Sequence, residues 1–150
     1  MFGGVAASSP SSKLDDMWAW DGTAWTELHP TFRPHPRAAP GMAYDARRDR
    51  IVLLGGQQSG GATNDTWEFD GQNWQVFSGG ALPGSTVVSM AYDLARQAVV
   101  AHLYVYNQPQ QVWQWDGIAW TQIAVITTPQ ANQPVLVGAP DGIHLLGGTL

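Results

Sequence analysis

Trp18-Ala19-Trp20-Asp21-Gly22-Thr23-Ala24-Trp25 is written twice more with small changes, as Trp67-Glu68-Phe69-Asp70-Gly71-Gln72-Asn73-Trp74 and as Trp113-Gln114-Trp115-Asp116-Gly117-Ile118-Ala119-Trp120. Each copy sets Asp-Gly between aromatic residues. That is a strong hairpin signal, because both central positions of a type I′ turn need positive φ. With a two-residue loop, Trp20 faces Thr23 and Trp18 faces Trp25, and the same count pairs Trp67 with Trp74 and Trp113 with Trp120. Side chains alternate across a strand, so Trp18, Trp20 and Trp25 share a face, where cross-strand aromatic pairs add about 0.5–1.5 kcal/mol beyond burial.

The octads start 49 and 46 residues apart. A second word keeps nearly the same step: Met42-Ala43-Tyr44-Asp45 followed by Arg48, then Met90-Ala91-Tyr92-Asp93 followed by Arg96. A third, Ile51-Val52-Leu53-Leu54-Gly55-Gly56, returns as Ile143-His144-Leu145-Leu146-Gly147-Gly148. It also returns as Val99-Val100-Ala101-His102 with Leu103-Tyr104 replacing the diglycine. Phe2-Gly3-Gly4 matches the tail of a further copy. The second word runs through a polar turn, Ala46 to Arg50, into the third, which makes a second, largely apolar hairpin. Each repeat therefore holds four short antiparallel strands, an inner pair and an outer pair, at the period of a propeller blade rather than a helical solenoid.

The diglycine ending a strand, the aromatic pair separated by six residues and the period near fifty resemble kelch repeats of the galactose-oxidase-like type. The resemblance covers essentially the whole chain. It departs from the family pattern where Trp67 and its equivalents stand in place of the Tyr of many kelch repeats, and where the middle repeat lacks its diglycine. The resemblance implies an all-β fold, a segment of a kelch-type β-propeller with about three four-stranded antiparallel blades, two complete and one split between the termini. The expected pieces are an outer hairpin over 17–28, a blade over 41–78, a blade over 87–125 and an inner hairpin over 134–148. Propellers run to about 4–8 blades, so three leave apolar faces and strand edges to be covered from outside. The partner is either the remaining blades of a longer parent chain or a second copy closing head to tail. A diglycine stub at both ends favours the longer parent.

Composition narrows the function classes. The chain has 7 Lys and Arg against 12 Asp and Glu, a net charge of −5 and no basic stripe, which argues against nucleic acid as a partner. The absence of Cys removes disulfide scaffolds, Cys-based zinc sites and thiol nucleophiles, and leaves the redox compartment open. Apolar runs such as Ile51 to Leu54 and Val99 to Val105 fall short of the roughly 18 residues a spanning helix needs, so membrane insertion is not expected. Met1-Phe2-Gly3-Gly4 has neither the basic start nor the apolar run of a signal peptide, while secretion of a longer parent stays open.

Loops rather than blades carry function in such an architecture. His29-Pro30-Thr31-Phe32-Arg33-Pro34-His35-Pro36-Arg37 is a proline-stiffened connector that presents cations, with Arg33, His35 and Arg37 as candidate ligand contacts. Its plainer role is an interblade connector in which Arg37 packs on a neighbouring blade. His29 and His35 do not have a metal-site spacing. Gln57 to Asp65 is a polar loop whose Gln57, Gln58 and Asn64 suit sugar hydroxyls or peptide backbone, and Gln110 belongs to the matching amide-rich loop of the next repeat. The plain alternative is a linker, with Asn64 or Asp65 making a local Asx-turn. Asp45 with Arg48, and Asp93 with Arg96, recur with the repeat and fit turn braces better than catalysis. His102 and His144 are taken as matching inner-strand residues facing the core or a channel. The tryptophans recur in every repeat, which fits packing between blades better than stacking on sugar rings.

No catalytic constellation, metal site or cofactor is expected from these residues. Kelch resemblance implies a non-catalytic binding module for a protein or glycan. The enzyme alternative is a galactose-oxidase-like or other sugar-modifying kelch enzyme whose catalytic residues lie outside this chain. The copper-radical cofactor of that family needs a Cys joined to Tyr, and there is no Cys here. The third class is a structural repeat array in a large surface or secreted protein.

Overall fold

The computed structural model of the chain describes residues 1–78, 82, 86–104, 107–126 and 135–146. Among these residues every regular element is a strand: β1 (Phe2–Ala6), β2 (Ser9–Trp20), β3 (Trp25–Leu28), β4 (Gly41–Asp45), β5 (Arg50–Gln58), β6 (Gly61–Phe69), β7 (Trp74–Phe77), β8 (Thr86–Asp93), β9 (Ala98–Tyr104), β10 (Gln110–Trp115), β11 (Trp120–Ile126), β12 (Val135–Ala139) and β13 (Gly142–Leu146). They form a three-stranded sheet β1-β2-β3, two four-stranded sheets β4-β5-β6-β7 and β8-β9-β10-β11, and a two-stranded hairpin β12-β13. All pairings are antiparallel between sequence neighbours, and no sheet closes on itself. Gly147 and Gly148, the expected end of the inner hairpin, lie outside the described residues.

Three expectations are corrected. The Asp-Gly hairpins close with four-residue loops, so Trp20 pairs with Trp25, Phe69 with Trp74 and Trp115 with Trp120, while Trp18 faces Glu27, Trp67 faces Val76 and Trp113 faces Gln122. The cause is the Asp side chain. Asp21 Oδ1 accepts from the backbone N–H of Thr23 at 2.7 Å and Ala24 at 2.8 Å, and Asp70 and Asp116 do the same in their loops. This carboxylate cap holds an Asx-turn in which only the Gly takes positive φ, +100° at Gly22, +96° at Gly71 and +102° at Gly117, so no type I′ turn forms.

The first outer hairpin also begins earlier than expected, because β2 starts at Ser9 and pairs with β1 as a third strand. The run Ser8 to Asp16 has little apolar alternation, and its pairing depends instead on Gly3 and Gly4, whose φ values of +66° and +137° accompany a bulge in the β1–β2 register. Gly55 and Gly56 repeat this in β5, at +63° and +104°. The expected polar loop 57–65 is consequently a strand hairpin, with Gln58 opposite Gly61.

Successive sheets stack face to face. Phe69, Trp74 and Trp67 of the second sheet pack on Phe2 and Met17 of the first, with Phe2 edge-on to Trp74 at 5.5 Å. Trp115 and Trp120 of the third sheet pack in one cluster with Val52, Leu54 and Phe77 of the second. The inner strands β4, β8 and β12 lie side by side across the sheets, and Leu136 N donates to Ser89 Oγ at 3.0 Å to tie the terminal hairpin to β8.

Candidate functional site

Antiparallel order sends the β1–β2, β5–β6 and β9–β10 connections, and the connectors between sheets, to the same end of their sheets. The Asp-Gly loops and the Asp45 and Asp93 turns go to the other end. The candidate ligand contacts all belong to the first end, and the sequence folds there around one side chain. Arg37 is fully buried; it donates to Asp65 in a two-point pair at 2.7 and 2.9 Å and to the carbonyl of Gly55 at 2.8 Å. Its backbone is equally engaged, accepting from Gly4 N at 2.9 Å and donating to Leu14 O at 3.0 Å. Arg37 therefore joins the first and second sheets and offers nothing to a ligand arriving from solvent, which corrects its assignment as a contact residue. Burial would raise the Asp65 pKa, but hydrogen bonds from Arg37 and Trp67, with the Arg37 charge, outweigh it and hold the carboxyl below its ordinary value.

Two further candidates are structural. Asn64 Nδ2 donates to Leu82 O at 3.0 Å, holding the next connector rather than making a local turn. Gln110 is buried at the start of β10. The remaining four, like the exposed Asn64, reach the surface. Arg33 is partly exposed and pairs with Asp15 at 2.9 Å; His35 is exposed; Gln57 is exposed and anchored through its backbone to Ala38 at 2.8 and 3.0 Å; Gln58 is half-buried. The proline-bearing connector is thus laced between the β1–β2 and β5–β6 arms, with Arg33 paired to Asp15 of β2 and Ala38 bridged to Gln57.

His102 and His144 are not equivalent. Register places His102 opposite Val112, as Leu54 is opposite Thr66, whereas His144 stands two positions earlier in its repeat. His144 is exposed and meets Asp141 at 2.8 Å. His102 is fully buried, and neither ring nitrogen has a hydrogen-bond partner among the described residues. Burial pushes its pKa below the ordinary value.

At the opposite end the acids brace turns and sheets. Asp45 accepts from Arg47 N, Arg48 N and Arg48 Nε, and Asp93 accepts from Ala95 N, Arg96 N and Arg96 Nη1. Arg48 also binds Glu68, whose Oε1 accepts from Trp115 Nε1 of the next sheet at 2.6 Å. In the sequence Glu68 stands only as part of an outer hairpin word. Its signal was there: it is the one acid at an octad position held by Ala19 and Gln114 in the other copies. Among the described residues no three His, Asp or Glu side chains gather as a metal site.

The described carboxyls with displaced pKa values, Asp21, Asp65, Asp70, Asp93, Asp116 and Asp141, all move downward. Asp21 falls to about 2 through the backbone N–H of Ala24 and the Thr23 hydroxyl and N–H. These groups are fixed acceptors near neutral pH and do not hold a proton to donate. A scan against models of protein families gives no match, and neither does a search of curated proteins.

Proposed function

We propose that the chain is a non-catalytic recognition module built from kelch-type propeller blades, which binds a protein or glycan through the end carrying the interstrand arms. The observation that carries this is the division of labour between the two ends. Asp, Arg and Glu are consumed in turn caps and ion pairs at one end, and Arg37 with Asp65 and Arg33 with Asp15 are paired at the other. There His35, Gln57 and Gln58 reach the surface on segments that Arg37, Ala38 and the prolines hold rigid. Amide and imidazole groups on a fixed frame suit hydroxyls or peptide groups, because little ordering entropy remains to be lost on binding. The stacking of successive sheets with their inner strands adjacent supports the propeller arrangement.

Glycan and peptide arrays probed with the full chain test this. A ligand class should bind, and the triple change His35→Ala, Gln57→Ala and Gln58→Ala should weaken it by about tenfold or more without lowering the unfolding temperature. Binding that survives the triple change, or no binding on either array, overturns the assignment.

A further inference from the structure

We propose that His102 makes the seat of the β12–β13 hairpin on the third sheet sensitive to pH: a proton taken up by this imidazole lifts the hairpin from β8 while the three preceding sheets stay folded. His102 occupies a place that the preceding repeat fills with Leu54, since the first stands opposite Val112 and the second opposite Thr66. Leu54 turns toward the following sheet and packs in one cluster with Leu103 and Trp115. His102 turns the same way. Ala101 and Leu103 on either side of it belong to the cluster shared with the second sheet, so alternation along β9 points the imidazole at the opposite face, where the hairpin follows. A titratable ring thus stands where the repeat has an aliphatic side chain.

The surroundings of that ring are closed. Ser89 of β8 is its direct cross-strand neighbour and shares its face, and the Ser89 hydroxyl is the group that accepts from Leu136 N at 3.0 Å. Leu136 itself is buried. Two residues along β12, Gly138 lies so near β8 that a Cβ there would be 2.2 Å from the Tyr92 carbonyl oxygen. The hairpin is therefore seated on β8 at backbone contact. His102 is fully buried beside this seat, and neither ring nitrogen is hydrogen-bonded among the described residues.

No acid among the described residues is placed to balance a charge on this ring. β10 and β12 carry no titratable side chain, and β9 has besides His102 only the exposed Tyr104. On β8, Tyr92 packs toward the second sheet, and Asp93, four residues along from Ser89 and opposite Ala98, is bonded to Arg96. On β13, His144 is exposed and meets Asp141. An imidazolium in the closed seat would hold two N–H donors without acceptors and a charge without a counter-ion, which is the costliest state for a buried group. β9 cannot yield, because it is hydrogen-bonded on both sides, to β8 and to β10. Relief comes from the covering hairpin, whose departure admits water. Burial keeps the seated ring neutral, while exposure returns it to an ordinary pKa of about 6.5, so below that pH protons favour the lifted hairpin.

Amide hydrogen exchange of the full chain at pH 7.5 and 5.5, corrected for intrinsic rates, tests this. Amides of β12 and β13 should lose protection about tenfold between the two pH values, the change expected when a pKa rises to about 6.5 on opening, while β5 and β6 keep theirs. In His102→Leu, which installs the residue of the preceding repeat, the hairpin should show no such loss. In His144→Gln it should show the full loss. Titration of the wild-type imidazoles by NMR gives a reading that needs no variant: His102 should take its proton only in step with the loss of hairpin protection. The proposal is overturned by unchanged protection at pH 5.5, by an equal loss in every sheet, by a loss that persists in His102→Leu or vanishes in His144→Gln, or by a His102 ring that titrates under a protected hairpin.

Discussion

Trp20 with Trp25 in the first sheet and Trp115 with Trp120 in the third are the same local structure in opposite surroundings. Both pairs sit across an Asp-capped four-residue loop with nearly equal ring geometry. One is half exposed; the other is buried and has both indole N–H groups satisfied by Glu68 and Thr66 of the preceding sheet. The hairpin therefore forms from its own residues, while the energy an octad contributes to the tertiary fold depends on which sheet stands before it.

The largest expected effect sets these pairs against each other. Trp115→Ala removes a fully buried ring and leaves Glu68 short of a donor, at a cost of about 3–5 kcal/mol, whereas Trp20→Ala should cost under about 1 kcal/mol. Denaturant unfolding of both variants checks this, and equal losses would erase the comparison. Arg37→Ala should come next, at about 3 kcal/mol, since it strips Asp65 and the Gly55 carbonyl of a buried partner. Arg33→Ala, at an exposed pair on the same connector, should change stability by less than about 1 kcal/mol by the same measurement.

The loops sharpen the contrast further. Gly71→Val should cost about 1–2 kcal/mol through strain at positive φ, with open space around the new Cβ. Gly117→Val should cost more, because the added carbon also displaces Arg48 from beneath the loop. Thermal unfolding of the two variants that showed no difference would remove Arg48 as the reason the third octad is held. Smaller still, Trp120→Phe should lose about 1 kcal/mol with its bond to Thr66, while Trp74→Phe gives up an N–H that has no acceptor among the described residues and should cost less.

The last expected effect concerns pH and His102. Its folded pKa lies below the unfolded value of about 6.5, so the unfolded chain binds a proton that the native chain resists. Stability is complete above that pH and declines as pH falls below it. The substitution His102→Leu, which places the residue found at Leu54 in the preceding repeat, should flatten the decline between pH 6.5 and 5. An unchanged pH profile would remove His102 from this role.

Periodic residues made the architecture legible. The octads and the Met-Ala-Tyr-Asp words mark four-stranded units because alternating aromatic and apolar residues around Asp-Gly specify hairpins wherever they occur. Hairpin register was less legible, since an Asp that caps two backbone N–H groups and an Asp that enters a type I′ turn are spelled alike. Among the candidate contacts, Arg33, His35, Gln57 and Gln58 reach the surface. Arg37 and Gln110 do not, and exposed Asn64 is tied to the next connector, because their partners, Asp65, the interior around β9 and β10, and Leu82, come from distant parts of the sequence.

By itself the sequence determined an all-β chain of repeated hairpins, because turn chemistry and side-chain alternation act over a few residues. Tertiary structure alone decided that one octad lies bare while two are buried, that Arg37 is a brace between sheets, and that Glu68 serves the next sheet's tryptophan. Those outcomes depend on which faces meet across tens of residues, and identical local words carry no record of their neighbours.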